Sequence, residues 1–283
     1  MTSTDDSGEI RSLYRISYSL RIKALEMVYR SGTGHVSPCF SMAEILATLY
    51  FKVLNVDSRN PSLRNRDRLI LSKGHASAIY YAALAEKGFF STDLLDTYCT
   101  LGSALGGHPV IDSLAGIDMT TGSLGNGLSL AVGIAQIGKK DTLGNWIYAI
   151  VGDGELQEGL VWEAFMYAGN RHLENLVVII DRNGLQSGGK VAEIMDLDQL
   201  DRKLDSFNFY VQTIDGHDIG QLVAAIDSAK QQKGRPSAII ANTIKGKGVS
   251  FMESQASWHM RIPDESEFLS GMSELRKEEA KYG

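Results

Sequence analysis

Two short apolar runs with a helical stretch between them constrain this chain more than anything else in it. Residues 146–151 and 176–180 are rich in Ile and Val, and each is too brief and too uniform for an amphipathic helix. Such runs read as strands buried on both faces, as in a parallel sheet. Between them Leu160, Val161, Phe165 and Ala168 fall on one helical face. Strand, helix and strand in that order make a right-handed crossover, and both strands then run the same way. The residues after each strand emerge at the carboxyl edge of the sheet, where open α/β folds bind ligands. Here they are Gly152-Asp153-Gly154 and Asp181-Arg182-Asn183.

Asp153 and Asn183 thereby bring a carboxylate and an amide oxygen to one place, which suits a hard cation. Mg²⁺ keeps octahedral oxygen coordination and bridges protein carboxylate to ligand phosphate, so Asp153, Asn183 and a backbone carbonyl after Asn183 form a sensible protein share of its shell. Glycines on both sides of Asp153 allow close backbone approach, and the following helix turns its N-terminal amides toward a phosphate. A Gly-Asp-Gly alone is more often a plain turn. The flanking strands and the Asn about 30 residues on shift the reading to a ligand site.

The rest of the chain keeps the alternation of strand and helix. An apolar stripe at Ile10, Leu13, Ile16, Leu20, Ala24 and Met27 predicts an amphipathic helix over 9–30, stopped at Gly32. A loop over 31–40 holds Gly34-His35, and Ser41 with Glu44 forms a capping-box pattern starting a helix through Leu54. Residues 67–72 read as a strand running into Lys73-Gly74-His75, with a helix over 77–86 behind it. The glycine-rich stretch 99–111, with His108, reads as a surface loop lining a pocket. Residues 120–127 form a loop before a helix over 128–137, and read either as an anion-cradling nest or as a bland capping loop. Strands over 209–214 and 237–243, a helix over 218–231 between them, and a charged terminal helix from about 264 complete a doubly wound, mostly parallel α/β sheet as one domain over 1–283.

Hydrophobic content of 43%, charged content of 22% and five prolines describe an ordinary globular chain. A net charge of −6 argues against a nucleic-acid groove. Cys39 and Cys99 have neither metal-ligand nor disulfide spacing, which fits a reducing, cytoplasmic setting. The acidic N-terminus has no apolar segment behind it and nowhere do eighteen apolar residues run together, so neither secretion nor membrane spanning is expected.

The motifs SGTGH, LSKGH, GGHP, TTGSLGNG, GDGELQEG and TIKGKG with SWH follow one another over nearly the whole chain, in the order that transketolases have them. The sequence resembles the thiamine diphosphate-binding domain of that family, and the likeness ends where that domain ends. The resemblance implies the N-terminal subunit of a split enzyme. It would move a two-carbon ketol unit from a ketose or its phosphate to an aldose or its phosphate. A separate C-terminal subunit would carry the pyrimidine-binding domain and the activating glutamate, in an α2β2 heterotetramer.

Carried over motif by motif, Asp153, Asn183 and the Leu185 carbonyl would hold Mg²⁺, with Ca²⁺ or Mn²⁺ as substitutes. Gly122, Ser123, Leu124, Gly152, Gly154, Glu155 and Gln186 would surround thiamine diphosphate. Lys73 and His75 would lie by its diphosphate or thiazolium, and Lys245 near the sugar. His35, His108 and His259 would exchange protons with sugar hydroxyls, and His75 would stand with them. Glu158 would join the two active sites through a carboxylate network. Pro38, Asn126 and Met260-Arg261-Ile262 depart from the family's usual residues, which bears on substrate choice.

Other readings attach to single residues. His217 follows a glycine outside any matching motif, and His172 reads as a cation near a helix C-terminus. Arg59, Arg64, Arg66 and Arg68 read as a sugar-phosphate lure or as a solvated charged loop. Zinc ligation fits none of the histidine spacings. The alternatives at the level of function are the α chain of a 2-oxo-acid dehydrogenase, a 1-deoxyxylulose-phosphate synthase-like protein, a plain nucleotide-binding domain and a non-catalytic regulatory subunit.

Overall fold

A computed structural model describes residues 4–283, so the first three residues of the acidic N-terminal stretch lie outside it. Five parallel strands form the central sheet: β1 (Arg68–Leu71), β2 (Ile147–Gly152), β3 (Leu176–Arg182), β6 (Tyr210–Asp215) and β7 (Ser237–Asn242), in the order β1-β2-β3-β7-β6. A two-residue antiparallel ribbon, β4 (Leu185–Gln186) and β5 (Gly189–Lys190), follows β3 and leads into the short helix α7 (Val191–Ile194). The register pairs Gly152 with Asp181 and Arg182 with Asn242, which puts the ends of the three central strands on one line.

The strands alternate their side chains between two cores because the side-chain period is two. Tyr148, Ile150, Val177, Ile179 and Ile239 face a layer built by α1 (Thr4–Ser31), α3 (Ala43–Thr48), α4 (Ser77–Glu86) and α9 (Ile219–Gln231). Ile147, Ala149, Val151, Val178 and Ile180 face α5 (Asn126–Lys140), α6 (Gly159–Asn170) and α8 (Leu200–Ser206). Both faces are therefore dry, and each buried Ile or Val side chain contributes about 1.5–3 kcal/mol by its burial. The helix α10 (Glu265–Ala280) buries Met272 and Leu275 and stacks Phe268 on Tyr29 of α1. Among the described residues no helix is long and apolar enough to cross a membrane.

Several local expectations give way. The segment 31–40 is not all loop: Val36–Phe40 forms a short helix, α2, buried throughout. The capping box expected at Ser41 is absent, since α3 is capped by Met42 without a side-chain bond. The Ser41 hydroxyl instead donates to Asp181 Oδ2 at 2.6 Å, and Glu44 is engaged by Arg21. A capping box does occur at Asp264 and Glu267, which starts α10. The helix ending near Leu54 closes in a π-helical turn, Leu49–Val53. Leu160 is 36% exposed, so the buried face of α6 is Val161, Ala164, Phe165 and Ala168.

The arginine cluster is neither a lure nor a solvated loop throughout. Arg66 is buried against Asp118 with Arg68 beside it, and Arg64 pairs with Asp141 and Arg59 with Asp57. Arg68 begins β1, at the end of the sheet opposite the ligand edge. His172, one residue past the α6 C-cap, spends its Nδ1 on the Gly234 carbonyl at 2.8 Å.

Candidate active site

The carboxyl ends of β1, β2, β3 and β7 surround a cavity of about 210 Å³. Lys73 and His75 come from the turn after β1, Asp153 and Gly154 from that after β2, and Asn183, Leu185 and Gln186 from that after β3. Lys245 and His259 arrive from beyond β7. Leu124, Gly152, Glu155 and Glu158 also line it, whereas His35, His108, Gly122 and Ser123 lie outside its lining. His108 packs its ring on Gly122, where a Cβ would stand 3.0 Å from it. Gly122 has φ +153, which suits glycine. The Ser123 carbonyl accepts from the Asn126 side chain at 3.2 Å, and α5 starts at that residue, two earlier than expected.

Three imidazoles form a near-equilateral cluster. The ring centroids of His35, His75 and His259 are 5.2, 5.3 and 5.4 Å apart. Burial, then His108, then Lys245 hold His35 at about 4, and burial followed by Lys245 holds His259 at about 3. His75 is pushed well below its ordinary value by burial first and Lys73 second. These rings are therefore unprotonated under neutral conditions, each with a ring nitrogen able to accept a hydrogen bond or a proton. His35 Nδ1 is buried and has no hydrogen-bond partner among the described residues. Lys245 Nζ donates to His259 Nδ1 at 2.7 Å and to the Leu185 carbonyl at 3.2 Å, and burial lowers it to about 8.

Beneath the cavity lies a residue that sequence reading left as a strand end. Asp181 is fully buried and takes hydrogen bonds from Lys73 at 2.5 Å, Ser41 at 2.6 Å, Thr243 and, at 3.4 Å, the Asn183 amide. Burial raises its carboxyl, but Lys73 together with the Ser41 and Thr243 hydroxyls leaves it below the usual range. A carboxylate closing an all-apolar strand was the signal, because a charge there must find a partner. Glu155 pins the cradle together: its carboxylate accepts from Ser72 at 2.5 Å, Gly125 N at 2.9 Å and Gly152 N at 3.0 Å. Its oxygens are thus turned to the chain's own loops.

Asp153, Asn183 and Leu185 all line the cavity. Asp153 is 3% exposed, and burial, with Asp181 second, raises its carboxyl to about 6. Its oxygens accept from Gly154 N at 2.8 Å and Gly184 N at 2.5 Å, while Asn183 Oδ1 accepts from Leu185 N at 3.1 Å. A buried carboxylate near a second one, in no direct ion pair among the described residues, fits a hard cation. Among the described residues no cluster of three or more His, Cys, Asp or Glu could hold a metal, so this mixed oxygen set is unlike a zinc site. A Cβ on Gly154 would sit 2.9 Å from Gln186 Cβ, and the buried Gln186 Oε1 has no partner among the described residues. Gly154 and Gln186 are thus in close contact, and the free Gln186 oxygen is an acceptor open to a donor group of a ligand.

Comparison with known proteins agrees with this geometry. The family model described as transketolase, thiamine diphosphate binding domain, matches residues 14–267. The chain is 46% identical over 262 residues to the 6-deoxy-6-sulfo-D-fructose transketolase subunit SqwG of Clostridium sp. (strain MSTE9), covering 92% of this chain and 95% of that one. It is 42% identical over 245 residues to one named subunit of the apulose-4-phosphate transketolase of Actinobacillus succinogenes, covering 87% and 88%. Against human transketolase it is 39% identical over 90% of its own length but only 40% of the human chain. The solved transketolase from Campylobacter jejuni superposes with a TM-score of 0.83 at 30% identity, over 96% of this chain and 48% of that one. The one from Leishmania mexicana gives 0.84 at 27%, over 95% and 45%. The chain thus spans a little under half of these solved structures and nearly all of the relatives named as subunits, and it belongs to the transketolase family, in its thiamine diphosphate binding domain.

Proposed function

We propose that this chain is the cofactor-binding half of a two-subunit transketolase that moves a two-carbon ketol unit from a ketose or ketose phosphate to an aldose or aldose phosphate. The observation that carries the reading is the meeting, at one sheet edge, of a buried oxygen set and three neutral imidazoles. Asp153, Asn183 and the Leu185 carbonyl would hold Mg²⁺, or Ca²⁺ or Mn²⁺ in its place, and the Gly154 turn with His75 would receive the diphosphate. When bound, thiamine diphosphate supplies the carbon nucleophile that carries the transferred unit.

The chain's own part is binding, orientation and proton handling. His35, His108 and His259 would take protons from sugar hydroxyls and return them, with Lys245 fixing His259 by its bond to Nδ1. Lys73 is committed to Asp181, so its charge serves the cradle from below. Glu158, exposed at the start of α6, is free to join a carboxylate network across an assembly. The assembly would be an α2β2 heterotetramer in the cytoplasm, with the partner subunit supplying the pyrimidine-binding domain and the activating glutamate. Relatives of matching length that are named as subunits support a separate partner. Mixing the chain with such a partner, Mg²⁺ and thiamine diphosphate should give ketol transfer, and the chain alone should give none. Full turnover by the chain alone would defeat the split-enzyme reading.

A further inference from the structure

His217 lies outside every cofactor-facing motif, yet it is bonded to the loop that carries Lys245. It follows Gly216 in the turn after β6, and its side chain is 12% exposed. Its Nε2 stands 2.8 Å from the backbone nitrogen of Ile244. A backbone amide can only donate, so Nε2 carries no proton and the ring proton is on Nδ1. Nδ1 faces Glu44 Oε2 at 2.9 Å. Glu44 is buried and gripped by both terminal nitrogens of Arg21 at 2.6 Å, and Arg21 also donates to the Phe40 carbonyl at 2.9 Å. The Tyr14 hydroxyl donates to the His217 carbonyl at 3.2 Å and accepts from Ile219 N at 3.2 Å. Ring orientation and tautomer are therefore both set from behind.

Ile244 is the second residue after β7 ends. The preceding amide, Thr243 N, bonds to the Arg182 carbonyl at 3.1 Å, so Ile244 N is the first to lose the neighbouring strand. The imidazole takes the place of that strand. The next residue is Lys245, whose Nζ holds His259 and the Leu185 carbonyl.

We propose that His217 is a positioning residue: as the Nδ1–H tautomer it anchors the Ile244 amide and so sets where Lys245 and His259 stand in the cavity. A histidine that merely satisfied a stray amide would leave the cavity unaffected by its loss. Two substitutions separate these roles. His217→Asn keeps a donor toward Glu44 but has no acceptor at the Nε2 position, whereas His217→Gln puts its oxygen there and gives up the donor to Glu44.

In the ¹⁵N-labelled chain the Nε2 shift should be that of an unprotonated ring nitrogen, with a scalar coupling across the hydrogen bond to the Ile244 nitrogen. A protonated Nε2 overturns the proposal. The Lys245 Nζ resonance should move in His217→Asn and return in His217→Gln; an unmoved resonance, or equal displacement in both, also overturns it. With the partner subunit, His217→Asn should lower kcat about tenfold, the size expected when a buried amide loses its acceptor, and His217→Gln should recover most of it. Equal kcat in the two variants refutes the positioning role. Only this kinetic arm rests on the transketolase reading. If the unsubstituted pair shows no ketol transfer, that reading fails while the nitrogen spectra still decide on His217.

Discussion

Removing the charge of Asp181 should destabilise the chain sharply, and removing Lys73 as well should restore part of the loss. The two side chains are 0% and 2% exposed, with 2.5 Å between Nζ and Oδ2. At that separation and an effective dielectric of about 20, their gross attraction is roughly 7 kcal/mol. Desolvation costs several kcal/mol per ion, so the intact pair contributes little net stability. Breaking it is another matter. In Asp181→Asn the Lys73 ammonium keeps the Pro38 carbonyl at 3.0 Å but no countercharge, and the expected cost is about 3–5 kcal/mol. In Lys73→Met the carboxylate keeps the Ser41 and Thr243 hydroxyls, and the cost should fall at or below about 3 kcal/mol. The double variant buries no charge at this point and should cost less than the two singles summed, with a coupling of about 2 kcal/mol or more. Urea unfolding of the four chains at pH 7.5, with slopes checked for constancy, measures all three values. Additivity to within about 0.5 kcal/mol, or a cost below about 1 kcal/mol for Asp181→Asn, would refute the reasoning.

Acid should weaken the apo chain earlier than its carboxylates alone predict. His35 and His259 titrate near 4 and 3 when folded and near 6.5 when unfolded, so the unfolded chain binds more protons in between. From pH 7.5 to about 6.5 these histidines leave stability level; below that they lower it, with Asp153, raised to about 6, offsetting part of the fall, and His35→Asn should make the slope less steep in urea midpoints taken from pH 7.5 to 5. Asp153→Asn should abolish Mg²⁺-dependent retention of thiamine diphosphate by the two-subunit enzyme in titration calorimetry, and undiminished retention would remove the metal assignment. Gly127→Ala would put a Cβ 2.5 Å from the Ser72 backbone, forcing α5 off β1 at a cost of about 1–3 kcal/mol in urea unfolding. Phe165→Ala, which empties a fully buried site packed edge-on against Phe209, should cost about 3–5 kcal/mol by the same measurement.

The layered sheet was legible in the chain because its causes are local. Uniform apolar runs such as 147–151 and 176–180 are stable only when both faces are dry, and the crossover rule then aligns Asp153 with Asn183. The motif order added the identity of most cavity residues, from Lys73 to His259. What the residues do was less visible. Asp181 is 108 positions from Lys73, and His217 is 173 from Glu44. Such pairs leave no period and no turn chemistry, only a buried charge in need of a partner.

Local rules also failed where a distant group made the better bond. Ser41 and Glu44 have the spacing of a capping box, but Asp181 and Arg21 offer charge-assisted bonds in a dry interior and take both side chains. The same spacing at Asp264 and Glu267 does cap its helix, on an exposed surface where Arg261 pairs with Glu267 without breaking the cap. By itself, then, the sequence determined the parallel sheet, the edge at which the cavity opens and most of the residue types that line it. Only the folded chain decided which cations and carboxylates pair beneath that edge, since desolvation makes each buried charge depend on whatever neighbour the tertiary contacts bring to it.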